Sequence, residues 1–174
     1  SMAMVAWTER VETDKINWLA EHGYEVTIIT YEQGSHPLAF SLHPNVKVYD
    51  VGTEFYKLKS FPLLRRYFKY LKMKSVFGKR LKSLVERIQP DIVFTTAYCL
   101  KVADEIAKAC KPSPLIIESH ETCFSVVKEY DYKDNPFMRI VAKLYDLQYY
   151  RNINRFDRLV TLTEGDANEW RRHI

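Results

Sequence analysis

Polar residues directly follow several apolar runs of the sequence, and His120 is the most informative of them. It comes immediately after the run 114–119 and has Glu118 and Glu121 beside it. An imidazole at the end of a buried strand could orient a sugar hydroxyl or shuttle a proton near neutral pH. The bland alternative is a loop histidine whose ring is satisfied by hydrogen bonds to the backbone.

Other strand ends offer similar polar groups, while the common catalytic templates are absent. The further candidates lie in residues 30–32 (TYE), 95–98 (TTAY), 119–122 (SHET) and 163–164 (TE). The sequence has no G-x-G-x-x-G, no P-loop, no G-x-S-x-G and no H-E-x-x-H, which lowers support for the chemistries that use them. Neither metal-ligand spacing nor a cofactor motif is present, so we expect no bound metal and no cofactor.

Length and composition favour one ordinary globular domain over residues 1–174. Hydrophobic residues make up 47% of the 174 residues, and the net charge is only +4, which argues against global disorder. No apolar run approaches the roughly 20 residues that a membrane span needs. The three cysteines, Cys99, Cys110 and Cys123, lack disulfide-framework or zinc-site spacing and fit a reducing cytoplasm.

Basic residues are concentrated between Lys57 and Lys82. This segment holds ten of the 26 basic residues, and no acidic residue lies between Glu54 and Glu86. Aromatic and aliphatic residues alternate with the bases, which suits an anionic membrane surface. An amphipathic helix with a merely solvated charged face is the alternative. Nucleic acid is not expected, because the rest of the chain is acidic and has no nucleic-acid-binding signature. The predicted membrane-facing residues are Lys57, Lys59, Arg65, Arg66, Lys69 and Lys72.

The hydrophobic pattern predicts strands that alternate with helices along the whole chain. Predicted strands cover residues 24–30, 46–50, 91–96, 114–119 and 158–162. Predicted helices cover residues 8–22, a basic region up to 88 with a possible break near Gly78, and residues 103–110, 136–147 and 164–170. The last helix begins with a capping box at Thr163. This order predicts an α/β fold with a Rossmann-like, doubly wound parallel sheet and helices on both faces.

The predicted order lacks an obvious first strand. Such a domain normally begins with its central strand, and only residues 2–6 could supply one here. We therefore expect that residues before Ser1 belong to the natural strand.

Several stretches together resemble the amino-terminal domain of family 4 glycosyltransferases. They are residues 8–11 (TERV), 17–30 (NWLAEHGYEVTIIT), 90–93 (PDIV), 116–122 (IIESHET) and 156–166 (FDRLVTLTEGD). The ordered series spans essentially the whole chain, although no single piece is specific. At the loop where that family usually carries Gly-Gly, this chain has Ala6 and Trp7.

The resemblance implies one half of a GT-B fold, in which two Rossmann-like domains face each other across a cleft. Such enzymes move a sugar from a nucleotide-sugar donor to a hydroxyl of an acceptor, generally with retention and without a metal. The amino-terminal domain holds the acceptor, often a lipid-linked or cell-surface glycan precursor. The donor is bound mainly by the second domain, which we expect to be absent from this chain, so the chain alone should be inactive.

The resemblance also assigns roles to residues. His120 matches the cleft histidine that faces the reacting sugar, and Thr163 and Glu164 match the cleft edge of the last strand. The predicted substrate-binding set is Thr8, Glu9, Arg10, Tyr98, Ser119, Glu121, Thr163 and Glu164. The protein would be cytoplasmic and peripheral to the inner face of a membrane. The alternative function is a non-catalytic α/β module that binds anionic lipid or another acidic partner through residues 57–82.

Overall fold

The structure is a computed structural model of the chain and describes Met2, residues 7–120 and residues 147–174. Contacts divide the chain into two units, Ser1–Leu81 and Lys82–Ile174. Each unit contains its own small sheet, and all strand pairs in both sheets are parallel among the described residues. The prediction of an α/β fold with parallel strands is therefore confirmed, whereas the single domain over residues 1–174 stays a prediction.

The first unit begins with helix α1 (Trp7–Glu21) and continues into two paired strands. Gly23 has a φ of 87°, a left-handed conformation that glycine adopts without strain, and so the chain turns away just after the helix. Strand β1 (Thr27–Thr30) then pairs with strand β2 (Lys47–Asp50). Asp50 fixes this pair, because its carboxylate accepts hydrogen bonds from the Thr30 hydroxyl and from the Gly34 N–H in the loop between the two strands, both at 3.0 Å.

An aromatic cluster forms the core of the first unit. A 3₁₀ helix (Phe55–Ser60) follows β2, and helix α2 (Leu63–Ile88) follows it. The Phe55 ring lies 5.6 Å from the Tyr70 ring and 6.4 Å from the Phe77 ring, so both α2 side chains pack on the 3₁₀ helix. Such tilted and edge-on ring pairs are favoured by the aromatic quadrupole.

The predicted break of the basic helix near Gly78 is wrong, because α2 runs through that position without interruption. A glycine inside a helix costs about 1 kcal/mol relative to alanine. Its neighbours Phe77 and Leu81 are both buried. Burying each such side chain contributes about 1.5–3 kcal/mol, so tertiary packing outweighs the local preference.

The second unit is a three-stranded sheet with β4 at its centre. Its elements are β3 (Val93–Thr96), a 3₁₀ helix (Ala97–Val102), α3 (Ala103–Cys110), β4 (Leu115–Ser119), β5 (Arg158–Thr161) and α4 (Glu164–Trp170). The strand order is β3-β4-β5. Residues 147–153 are also helical and precede β5. Sequential parallel strands joined by helical crossovers are what the alternating pattern predicts.

The core of the second unit forms where β4 meets the surrounding helices. Its buried members are Leu100, Ala103, Ile117, Ile153 and Trp170. The Tyr149 ring stacks on the Trp170 ring at 6.0 Å, which joins the helical residues 147–153 to α4. This core holds β4 from one face, and β4 is the strand that leads to His120.

Some predicted elements lie outside the described residues. Of the predicted first strand only Met2 is described. Of the segment between the predicted strand 114–119 and the predicted helix 136–147 only His120 is described, and of that helix only Leu147 is described.

Candidate functional site

The carboxyl ends of β3, β4 and β5 lie at one edge of the second unit's sheet. Thr96 pairs with Glu118, and Ser119 pairs with Thr161, so all three strands end within one residue of the same level. In open parallel sheets, ligands bind beyond this edge. His120 is the first residue after the central strand, so the register brings it to the middle of that edge.

Side chains along strand β4 alternate between buried and half-buried positions. Leu115, Ile117 and Ser119 are all buried, whereas Ile116 and Glu118 are half-buried. Successive strand residues point to opposite faces, so Glu118 shares its face with Ile116. Ser119, a predicted substrate contact, lies on the same face as the core residue Ile117, and its contact with substrate stays a prediction.

Glu118 and His120 form the most closely associated polar pair at this edge. The Glu118 Oε2 lies 3.5 Å from the His120 Nε2, and the two side chains are only 13% and 7% exposed. A carboxylate that faces one ring nitrogen orients the imidazole and favours a proton on that nitrogen. This arrangement can present an imidazole of fixed orientation to a ligand at the sheet edge.

A short pinned turn carries Tyr98 beside the end of β3. It belongs to the 3₁₀ helix Ala97–Val102, in which Leu100 is buried. The Asn152 side-chain amide donates a 2.8 Å hydrogen bond to the Leu100 carbonyl and fixes the turn. Tyr98 itself is 58% exposed, so its ring is accessible to a ligand.

Comparison with known protein families shows to which family the chain belongs. The model described as Glycosyltransferase Family 4 matches residues 8–174, which is nearly the whole chain. This chain belongs to glycosyltransferase family 4. A search of the curated proteins found no match. The resemblance carried by the TERV, IIESHET and FDRLVTLTEGD stretches is therefore confirmed.

Thr163 and Glu164, which follow β5 in one of the stretches that resemble family 4, lie at the start of helix α4, and Thr163 caps it. The Thr163 hydroxyl accepts a 3.1 Å hydrogen bond from the Asp166 N–H, which is the capping geometry that the sequence predicted for α4. The Thr161 hydroxyl donates to the Thr163 carbonyl at 3.1 Å. Glu164 is exposed in the first turn of α4. Thr163 and Glu164 thus stand next to β5 at the same sheet edge as His120, and their substrate contacts stay predictions.

Three other predicted substrate residues of the family 4 domain lie in the first turns of α1, in the other unit. The Arg10 side chain makes two contacts within the first unit: its Nε donates a hydrogen bond to the Asp14 carboxylate at 2.9 Å, and its guanidinium lies 5.4 Å from the Phe40 ring centre. The Glu9 carbonyl accepts a hydrogen bond from a hydroxyl one turn later. Thr8 and Glu9 are half-buried. Glu121 lies outside the described residues.

The predicted membrane-facing bases divide into two groups. Lys57 is held by the Glu54 carboxylate through a short hydrogen bond, and this contact lowers the pKa of Glu54 and raises that of Lys57. The Arg66 guanidinium donates to the carbonyls of Lys59 and Phe61 at 3.1 and 3.0 Å, and so it stabilises the turn before α2. The others lie on the 3₁₀ helix and α2, where Lys69 is half-buried and the rest are exposed; they are Lys59, Arg65, Lys69 and Lys72.

Sequence reasoning missed two features that a simple periodicity would have indicated. Glu118 was noted as a neighbour of His120 but was not paired with it, although residues two apart leave a strand on the same side. The exposed apolar row Leu64, Tyr67, Phe68 and Leu71 was noted only as apolar residues among bases, although its spacing marks one helix face. No described helix is long and apolar enough to cross a membrane.

Proposed function

We propose that this chain is the acceptor-side half of a retaining glycosyltransferase. The enzyme would move a hexosyl group from a nucleotide-sugar donor to a hydroxyl of a glycan or lipid-linked acceptor. Membership of family 4 supports the transferase class. The observation that carries the assignment of the site is the Glu118–His120 pair, largely buried, at the carboxyl end of the central strand.

In this proposal His120 faces the reacting sugar and Glu118 is a positioning residue. The imidazole hydrogen-bonds a sugar hydroxyl and keeps the reacting carbon aligned with the acceptor oxygen. Glu118 restrains the ring, so the hydrogen bond to the sugar forms without a further loss of side-chain freedom. A group held in the reactive geometry lowers the barrier because the cost of ordering it has already been met in folding.

The donor nucleotide would be bound mainly by a second domain, with no metal and no cofactor in this chain. Stabilising the charge that develops on the leaving nucleotide requires donors placed around it. We therefore expect the isolated chain to bind acceptor but not to transfer sugar. We also propose that the enzyme is peripheral to the cytoplasmic face of a membrane, with residues 57–82 directed to anionic lipid.

The test incubates the full-length protein with a panel of nucleotide sugars. Sugar transfer is monitored by measuring the nucleoside diphosphate that is released. We expect His120→Ala to lower kcat by about 100-fold or more, the range typical for a positioned acid–base or orienting group. His36→Ala serves as the matched control, because His36 is exposed in a loop of the other unit.

Two outcomes would count against the proposal. Unchanged transfer by His120→Ala would remove the histidine from the site. If the full-length protein consumed no nucleotide sugar at all but still bound anionic vesicles, the non-catalytic binding module would be the better description.

A further inference from the structure

The first turns of α2 carry a row of apolar side chains that face solvent. Leu64, Tyr67, Phe68 and Leu71 are 76%, 57%, 68% and 45% exposed. Helix residues three and four apart lie on one face, so these four form a continuous patch two turns long. Because their neighbours in α2, Tyr70 and Phe77, pack on the core ring of Phe55, this row is a second apolar face of the same helix.

A basic row lies directly beside the apolar one. Arg65, Lys69 and Lys72 follow one another at spacings of four and three residues, and each row position is rotated by about 100° from its apolar neighbour. The Arg65 guanidinium and the Lys69 ammonium lie 5.2 and 4.4 Å from the Phe61 ring centre, so the ring holds both cations at the surface. No acidic residue occurs between Glu54 and Glu86 in the sequence, so α2 itself places no carboxylate within a turn of this row.

We propose that these two rows form one docking face, the α2 docking face, which binds the surface of an anionic lipid bilayer. Its residues are Leu64, Arg65, Tyr67, Phe68, Lys69, Leu71 and Lys72. The apolar row enters the headgroup region, and the basic row meets the lipid phosphates. Arg66 and Lys57 are excluded from the face, since their hydrogen bonds hold the preceding turn and Glu54.

The composition of this face favours a bilayer over other acidic partners. Aromatic side chains are preferred at the membrane–water interface, and leucines gain free energy on leaving water for the acyl boundary. The phosphates of a nucleic acid would pair with the basic row, but Leu64 and Leu71 would remain in water. The inference deepens the proposed membrane location, and its measurement is vesicle binding, so its failure would leave the sugar-transfer proposal standing.

The experiment is flotation of the full-length protein with vesicles of phosphatidylcholine alone or of equimolar phosphatidylcholine and phosphatidylglycerol. We expect binding to the anionic vesicles that weakens as salt is raised. Each base near an anionic surface contributes about fivefold in affinity, so Arg65→Gln, Lys69→Gln and Lys72→Gln together should lower it about 100-fold. The matched control removes three exposed lysines of the other unit, Lys101, Lys108 and Lys111, and should keep most of the binding.

The apolar row is tested separately from the charge. The double change Leu64→Ser and Phe68→Ser keeps the charge and should lower binding at least tenfold, whereas Tyr24→Ser, at another exposed aromatic, should not. All three sites are exposed, and circular dichroism will verify that the variants keep their helical content. In Phe68→Trp, tryptophan emission should shift to shorter wavelength with anionic vesicles by more than it does in the wild-type protein, which has three tryptophans of its own.

The contrary results are equally definite. Equal binding to both kinds of vesicle, or no loss in the triple base variant, would overturn the docking face. Loss in the triple base variant without loss in the serine double variant would show a purely electrostatic contact and would overturn the insertion of the apolar row. Tighter binding to single-stranded RNA than to the anionic vesicles would replace the bilayer by a nucleic acid.

Discussion

The start of β4 depends on one aspartate, and we expect its removal to loosen the strand that leads to His120. The Asp157 carboxylate accepts a 2.8 Å hydrogen bond from the Leu115 N–H, and the Asp157 N–H donates to the Leu115 carbonyl, also at 2.8 Å. Leu115 is completely buried. Asp157→Ala therefore leaves a buried N–H without its acceptor.

The size of this effect follows from the two hydrogen-bonding groups. A hydrogen bond to a charged group contributes about 1.5–3 kcal/mol, and an orphaned buried donor costs about 1–3 kcal/mol. Because Asp157 lies at the surface, we expect the lower part of the range, about 2 kcal/mol. Asp157→Asn keeps an acceptor oxygen but loses the charge, so it should cost about 1 kcal/mol.

Amide hydrogen exchange measures the change in the second unit without requiring the whole chain to unfold in one step. The Leu115 amide should exchange about 30-fold faster in Asp157→Ala, since 1.4 kcal/mol corresponds to a factor of ten. Asp91→Ala removes an exposed aspartate near β3 and should change exchange by less than about threefold. Equal protection of the Leu115 amide in wild type and Asp157→Ala would refute the reasoning.

Three further outcomes follow from single contacts. Thr163→Ala should lower the free energy of unfolding by about 1 kcal/mol, because α4 loses its N-cap hydrogen bond, whereas Thr163→Ser should keep most of that stability. Urea unfolding will measure both variants. Burial raises the pKa of the Cys110 thiol to about 11, so at pH 8 about one molecule in a thousand carries the thiolate. Iodoacetamide should therefore alkylate Cys110 more slowly than Cys99, which peptide mass spectrometry will measure. The hydrogen bond from Lys57 lowers the pKa of Glu54, so Lys57→Met should move that pKa up toward its ordinary value in a carboxyl NMR titration; no upward movement would contradict the contact. A carboxyl whose pKa is lowered stabilises the fold above its unfolded pKa and loses that contribution as the pH falls.

Local sequence signals predicted the elements whose determinants are adjacent in the chain. The cap at Thr163 needs only Asp166 three residues later, and the structure has that hydrogen bond. The helix predicted over residues 8–22 likewise ends close to the observed end of α1 at Glu21, next to Gly23 with its positive φ. Such features depend on neighbours in sequence, so the sequence suffices to find them.

Tertiary contacts decided the elements that the sequence misjudged. The predicted strand 24–30 is confined to Thr27–Thr30, because β2 pairs only from Lys47 onward. The helix expected to break at Gly78 continues because Phe77 packs on the Phe55 ring and both Phe77 and Leu81 are buried. Propensity is a weak prior where packing supplies several kcal/mol.

The candidate site was predicted in part. The sequence located His120 at a strand end, because a polar residue after an apolar run is a local signal. It did not pair the imidazole with Glu118, and it did not separate Arg66 from the outward bases of α2. The first pairing follows from strand alternation and was overlooked, whereas the Arg66 contacts depend on how the turn before α2 folds back to the guanidinium.

Alternation along β4 has a consequence for how such a domain can diversify. Positions 115, 117 and 119 are occupied by packing, while 116 and 118 are not fully buried. A substitution at 116 can therefore change the surface above the sheet without loosening the interior, whereas a substitution at 118 also changes the carboxylate that faces His120. The same short strand therefore conserves its scaffold and remains open to adaptation.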